Sequence, residues 1–421
     1  MKKLHRRIGL LLNEKLVGEQ HDERLFDILH HLNQSIDLVR TREEKDKLAR
    51  LNLAAGRKSI AAFAFEPALD YLKIGLSLIG KSGWSEQYDI TLALHKEAVK
   101  ASCCAGLFEE MESIALEAAE KARHVLDKSS IFQNRIISRT IQDKLPEAVE
   151  ITRDILGQLG TDLFEYDSLA KEKKDFDAPM EKLRGKKIME LLELPDMTDP
   201  IKLAASEIMF VANIPIYFSR SELLVSINTN EINTLLDYGN NRFGPFFYCS
   251  YGSMLCWING DIDAGYKFGR MGMKLMDRFG ANECRSRTIH TYYLLVMDFK
   301  HHMREALEPL LECYQEAIGS GDLLYAGLTL SGYHAIAFHA GINLNAMAKE
   351  MAAQTDDWKQ IKNPSVENHF TILHQVVLNL LGAEGDPCKL IGRSYDERLK
   401  VPEHQRQVNC SIQFQYYYYK S

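Results

Sequence analysis

"YLKIGLSLIGKSGWS", residues 71–85, contains the pattern G-x-x-x-x-G-K-[ST] from Gly75 to Ser82. A working phosphate loop of this pattern needs a strand leading in, a turn whose amides face the anion, and a helix leading out. The lead-in here is "FEPALDYLKI", whose apolar residues follow helical spacing, and Gly75 falls two helical turns after Ala68 on the same face. Gly75 therefore reads as a helix-contact position. "LSLI" continues the helix by a turn, Gly80 stops it, and Lys81 sits at its negative pole. Asp298, closing the apolar run "YYLLVMD" at 292–298, is formally placed to hold magnesium for such a loop, but that run also reads as helix. No cofactor follows from this motif, and the chain is expected not to be an enzyme.

Helical spacing extends almost everywhere. In "DERLFDILHHLNQSIDLV" the residues Leu25, Ile28, Leu29, Leu32, Ile36 and Val39 form one stripe, and alternating strand patterns are almost absent. The fold class is all-α. The helices also repeat: "AGLFEEMESIALEAAEKA" and "NGDIDAGYKFGRMGMKL" each place a glycine (Gly106, Gly260) at a turn, an apolar residue two positions on (Phe108, Ile262), and small residues on the next helix. Ala115 and Ala118 fill that role in the first, and Gly265, Gly269 and Gly272 in the second. Aligning the second helices matches Ala68, Met111, Ala148, Gly265, Ala306 and Ala346, the last three at near-constant spacing. This is the pattern of a tetratricopeptide-like α-solenoid of stacked antiparallel hairpins. Pro67, Pro146 and Pro200 suit first helical turns, with Thr198 or Asp199 capping the last of these. The expected organisation is N-terminal helices over 1–41, a first repeat array over 42–165, a charged linker over 166–197, a second array over 198–385, and a linker with a short helix over 386–421.

Composition narrows the function. The 421 residues carry a formal charge of −7, which argues against a nucleic-acid partner. Eight cysteines lack C-x-x-C pairing, so they read as free thiols of a cytoplasmic protein, with Cys103 and Cys104 pointing different ways on a helix. The apolar run Ile8 to Leu12 is too short for a secretory signal. Residues 323–344 carry no Lys, Arg, Asp or Glu, yet their glycines and histidines suit a buried helix better than a membrane span.

No catalytic or metal-ligating residue is assigned. The pairs His30/His31 and His301/His302 diverge on a helix, and His334/His339 and His369/His374 are spaced by five, off the register of a helical metal clamp. The aromatic stretches "RFGPFFYCSYG" (242–252) and "QFQYYYYKS" (413–421) read as packing. Phe246, Phe247, Tyr248 and Tyr251 are the alternative candidates for partner anchors.

Several blocks in order, "LHRRIGLLL", "FDILHHLNQ", "ARLNLAAGRKSIAAFAFEPALDYLKIGLSLI", "LLELPDMTDP", "GDIDAGYKFGRMGMKL" and "EALEPLLECYQEAIGSGDLLYAG", resemble the helical middle region of large signalling proteins. Those proteins join a serine/threonine kinase domain, an AAA-type STAND ATPase module, this region, a GAF domain and a sensor histidine kinase. "LHRRIGLLL" resembles the tail of the winged-helix segment after the ATPase module, and "FQYYYYKS" the first helix of a further hairpin. The resemblance implies a non-catalytic regulatory segment of a longer protein. Its partners would be another protein or the ATPase and kinase modules of its own chain. A small-molecule sensor built around residues 323–344 is the rival expectation, and an ATP-binding enzyme the third.

Overall fold

The computed structural model describes residues 1–15, 24–161, 169–220, 222–280, 282–354, 364–382, 386–406 and 410–421. Among them the chain is helical, and β pairing is limited to two isolated bridges, Asp196 with Asn240 and Ile391 with Asp396. It divides into two compact units, Met1–Ser138 and Arg139–Ser421.

In the first unit the longer helices are α1 (Lys2–Lys15), α2 (Leu25–Asn33), α3 (Arg42–Ala61), α4 (Phe65–Ile79), α5 (Tyr88–Cys104) and α6 (Phe108–Lys121), and the boundary falls near the end of α7 (Val125–Ile141). Thr41 and Glu44 start α3 with reciprocal side-chain to backbone bonds of 3.3 Å each, satisfying two N–H groups that the first turn leaves open. The opening motif begins inside α4 and runs into the turn after it, as expected of a helix end and not of a strand–loop–helix phosphate site, and Gly80 ends the helix with φ 68°. A Cβ on Gly75 would stand 2.6 Å from Leu94 of α5, and one on Gly56 of α3 would stand 2.7 Å from Leu72 of α4. Leu72 and Leu94 are fully buried, each worth ~1.5–3 kcal/mol of transfer free energy. Gly75 is therefore where two helices meet.

The second unit contains α8 (Leu145–Gln158), α9 (Leu169–Lys182), α10 (Pro200–Ser219), α11 (Glu222–Tyr238), α12 (Gly244–Met254), α13 (Ile262–Phe279), α14 (Asn282–Leu295), α15 (Leu307–Ser320), α16 (Leu323–His339), α17 (Leu344–Ala353), α18 (Pro364–Leu380), α19 (Glu397–His404) and α20 (Cys410–Lys420). Asp199, not Thr198, caps α10, accepting from the amides of Ile201 and Lys202. α10 is also the one described helix long and apolar enough to cross a membrane, and 72% of its apolar window is buried inside the protein. Helix signals recur at a fixed interval. Side chains of Asp261, His302 and Asn343 each cap a helical start, and Gly239, Gly280 and Gly321, all at positive φ, each follow a helix end. Both series advance by 41 residues per step.

Three expectations need correction. At the last aligned position Ala346 is exposed and Met347 is 1% exposed, so the buried position lies one residue later and keeps the same interval. The stretch 166–197 is not a solvated linker where it is described. Phe176, Pro179 and Leu183 make an apolar stripe amid the charges and are buried, and the Tyr251 hydroxyl donates to the Phe176 carbonyl at 2.9 Å. Residues 162–168 lie outside the described part. In 386–421, Leu390, Tyr395, Ile412 and Tyr416 pack with Ile372 and Val376 of α18, which makes this segment core as well.

α12 crosses α13 backbone against backbone. A Cβ on Gly265 would lie 2.5 Å from the Gly252 carbonyl oxygen and 2.4 Å from Cys256 Sγ, and one on Gly272 would lie 2.6 Å from the Pro245 carbonyl oxygen. In an exposed helix Gly→Ala stabilises by ~1 kcal/mol. Here backbone must move, and Gly265→Ala is expected to destabilise by about 2 kcal/mol or more in urea unfolding. Phe63 has the opposite problem: an exposed, non-glycine residue at φ 57° in the turn before α4. Phe63→Gly is expected to raise stability by about 1 kcal/mol in the same measurement.

Candidate interaction groove

α13 has two faces. Gly265, Gly269 and Gly272 press against neighbouring helices, and the opposite side carries Tyr266, Arg270, Met273 and Lys274. That outer side, with α14 beside it and α15 beyond, encloses two adjoining depressions of about 360 and 320 Å³ that share Arg270, Met273 and Tyr293. Their floor is Met and aromatic: Met273, Met276, Ile289, Tyr293 and Met297. The α13 wall carries Arg270 and Lys274 with Asp277, a set of net positive charge, and the α15 wall carries Glu312 and Glu316, the latter paired with Arg285 of α14.

Hydrogen bonds hold this surface in place. The Tyr266 hydroxyl lies 2.6 Å from His301 Nε2 and accepts from Arg270 at 3.3 Å. Arg285 of α14 donates to Glu316 of α15 at 2.7 Å. Burial, and secondarily the Glu312 charge, pushes the Tyr293 phenol up, so it stays protonated and can donate at neutral pH. An apolar floor between walls of opposite sign, with fixed phenol and guanidinium groups, suits capture of protein side chains. On its far side His301 Nδ1 lies 3.2 Å from Glu305.

The other sequence candidates lie elsewhere. Phe246, Phe247, Tyr248 and Tyr251 are 2%, 0%, 0% and 0% exposed, which overturns their candidacy as anchors: the glycine crossing of α12 on α13 draws the whole α12 surface inward. Asp298 follows helix α14, in the turn Met297–Phe299, not a strand. His31 lies 2.9 Å from His5 between their Nδ1 atoms, His302 caps a helical start, and His334 is buried against Gln354 at 2.7 Å. His374 meets Ser394, His369 meets Ser411, and the His339 ring stacks on Tyr419. No group of three His, Cys, Asp or Glu among the described residues could hold a metal ion. Glycine-rich α16 uses Gly332 for contact, where a Cβ would stand 2.4 Å from Leu294. Cys103 is buried and Cys104 exposed, on diverging directions of α5.

Sequence reasoning missed Glu231. It is fully buried on α11; its Oε1 accepts from Ser206 at 2.6 Å and from Asn241 at 3.2 Å, while Oε2 has no partner. Asn241 in turn accepts the amides of Phe243 and Gly244 at 2.9 Å each, fixing the start of α12. The run "SINTNEINT" was the available signal: a helix polar on more than one side. Burial pushes the Glu231 carboxyl up to about 7, against the pull of Ser206, Asn241 and Lys202. The folded chain thus keeps a proton that the unfolded chain releases near pH 4.5, so stability from this group is complete below pH 4.5 and is lost as pH rises through about 7. Burial holds His290 and His334 down to about 4, with the opposite consequence: their contribution is present above pH 6.5 and lost as pH falls toward 4. Glu231→Gln keeps an acceptor for Ser206 and removes the ionisation. Between pH 5 and 8 the variant should gain about 2 kcal/mol relative to the parent in urea unfolding. Parallel pH profiles of the two proteins would refute this account.

No family model matches the chain. It is similar to hybrid signal transduction histidine kinase G of Dictyostelium discoideum, with 20% identity over 395 residues, covering 85% of this chain and 11% of that protein. The chain thus spans about a tenth of the length of its relative, and the similarity, distant but running through most of the chain, relates it to signalling proteins.

Proposed function

We propose that the chain is a helical-repeat regulatory segment of a signalling protein, acting through protein contact and not through catalysis of its own. The observation that carries this reading is the groove on α13, α14 and α15, with its Met and Tyr floor between a basic and an acidic wall. The 41-residue recurrence of helix caps and left-handed stops supports a tetratricopeptide-like solenoid, in which stacked hairpins build a long continuous surface. The similarity to a stretch of a histidine kinase supports placement beside a kinase module, whose signal such a segment would transmit, and the resemblance of the sequence blocks adds an ATPase module to that reading. The segment works in the cytoplasm on this reading, with another protein or its own neighbouring modules as partner.

The test compares affinity enrichment from source cells with the parent chain and with the double variant Arg270→Glu, Lys274→Glu, both checked for fold by circular dichroism. A discrete set of proteins lost from the variant is the expected result. Identical sets would remove the groove as the contact surface. ATP turnover by the purified chain that disappears in Lys81→Ala would overturn the non-catalytic reading.

A further inference from the structure

Past the end of α12 the chain makes a wide π turn, Leu255–Asn259, before the left-handed Gly260. Leu255 and Cys256 on this turn are buried, while the two residues after them face outward. Trp257 is 64% exposed and Ile258 58% exposed, and Leu295 at the end of α14 adds further apolar surface. Trp257 is nevertheless held still. Its Nε1–H donates to the Leu295 carbonyl at 3.0 Å, and its ring meets Phe299 edge-on at 5.2 Å. An exposed tryptophan locked in one orientation loses little conformational freedom when a partner covers it.

The rim of this patch is acidic. Asp177 accepts from Asn259 at 3.4 Å, and Asp261 caps α13 one residue past Gly260. The carboxyls of Asp298 and Asp261 both act on the neighbouring Cys256 thiol. Asp298 Oδ1 is buried and has no hydrogen-bond partner. Of the nearby ammonium groups, Lys267 and Lys300 act on Asp263, with Lys300 Nζ 2.5 Å from its Oδ1, and Lys300 also acts on the Cys256 thiol against the two carboxyls. Asp177, Asp261 and Asp298 are thus left without a cation in any ion pair among the described residues. Burying an unpaired carboxylate under an apolar or acidic partner would be costly, while a guanidinium there gains both an ion pair and the tryptophan face.

We infer that the patch of Trp257, Ile258, Leu295 and Phe299 docks a protein segment presenting an arginine or lysine beside an aliphatic side chain, the cation over Trp257 and toward Asp298, the aliphatic group on Ile258. This rests on the reading of the chain as an interaction segment and assigns it a second surface, separate from the groove.

The probe is a short synthetic helical peptide with arginine and leucine on one face, titrated calorimetrically into the full chain. Its charge-swapped twin carries glutamate for arginine. The arginine peptide should bind, the glutamate peptide about tenfold or more weaker, and binding should weaken with salt. Trp257→Ala and Asp298→Asn should each weaken the arginine peptide about tenfold while melting curves stay near the parent's. In a Trp84→Phe, Trp358→Phe background, the remaining Trp257 emission should shift on binding. Equal affinity for both peptides, no binding of either, or unchanged affinity in both folded variants would overturn the inference. None of those outcomes bears on the proteins lost with Arg270→Glu, Lys274→Glu, so the patch and the groove fail independently.

Discussion

The contact of α12 with α13 at Gly252 and Gly265, backbone against backbone, sets the arrangement of the second unit. Each glycine faces the other's carbonyl at a distance no side chain tolerates, and Gly272 repeats the approach against Pro245 two turns along. Helices this close leave no room between them for solvent, so everything carried on the facing sides must be apolar or fully bonded. That constraint explains why an eleven-residue helix as aromatic as α12 is buried at every position. It also explains the split character of α13, glycine inward and Tyr266, Arg270 and Lys274 outward. The groove is the outer consequence of the inner crossing.

The same closeness raises the stakes for polar groups at the edge of this core. Asn240 donates to the Leu191 carbonyl and accepts from the Tyr248 hydroxyl, and its backbone exchanges bonds with Pro195 and Met197. Arg278 reaches the carbonyls of Leu192 and Leu194 and the Asp196 carboxylate. Together they tie the segment before α10 to the ends of α11 and α13, which makes the 188–197 stretch part of the core instead of a spacer. Glu231 is one exception, bonded on one oxygen only, and its burial raises the carboxyl pKa against the pull of its two donors, Ser206 and Asn241.

Much of the local structure was legible because it follows from chemistry within a turn or two. Gly106 two positions before Phe108 and Gly80 after α4 act on their own backbone, so spacing alone located them, and it narrowed the cap before Pro200 to Thr198 or Asp199. Gly75 was legible too, because its face was fixed by the periodicity of its helix. The misses involve partners distant in sequence. Phe176 and Leu183 lie in a charged stretch, and only contacts from elsewhere, such as the bond from Tyr251, make them core. Whether Phe247 or Trp257 is the exposed aromatic depends on which side of α12 meets α13, and both sides are equally apolar in sequence. The shift from Ala346 to Met347 is a one-residue error of the kind that spacing cannot resolve until caps are seen, since Asn343 sets the register there.

Exposure of Trp257 follows from how α12 ends. Had α12 continued with ordinary helical bonds, the residues after Met254 would have kept turning across the same crowded surface as Phe247 and Tyr251. The π turn adds a residue per turn and rotates the chain outward, and Gly260 at φ 68° then reverses it into α13. The tight glycine contact sits only five residues beyond Gly260, at Gly265 on α13 opposite Gly252 on α12, so the reversal has to be abrupt. A side chain on the outside of an abrupt reversal has nowhere to pack within its own hairpin. Among the described residues, Trp257 is accordingly pinned by Leu295 and Phe299, at the end of α14 and in the turn beyond it. The crossing that buries the aromatics of α12 thereby also produces the exposed one.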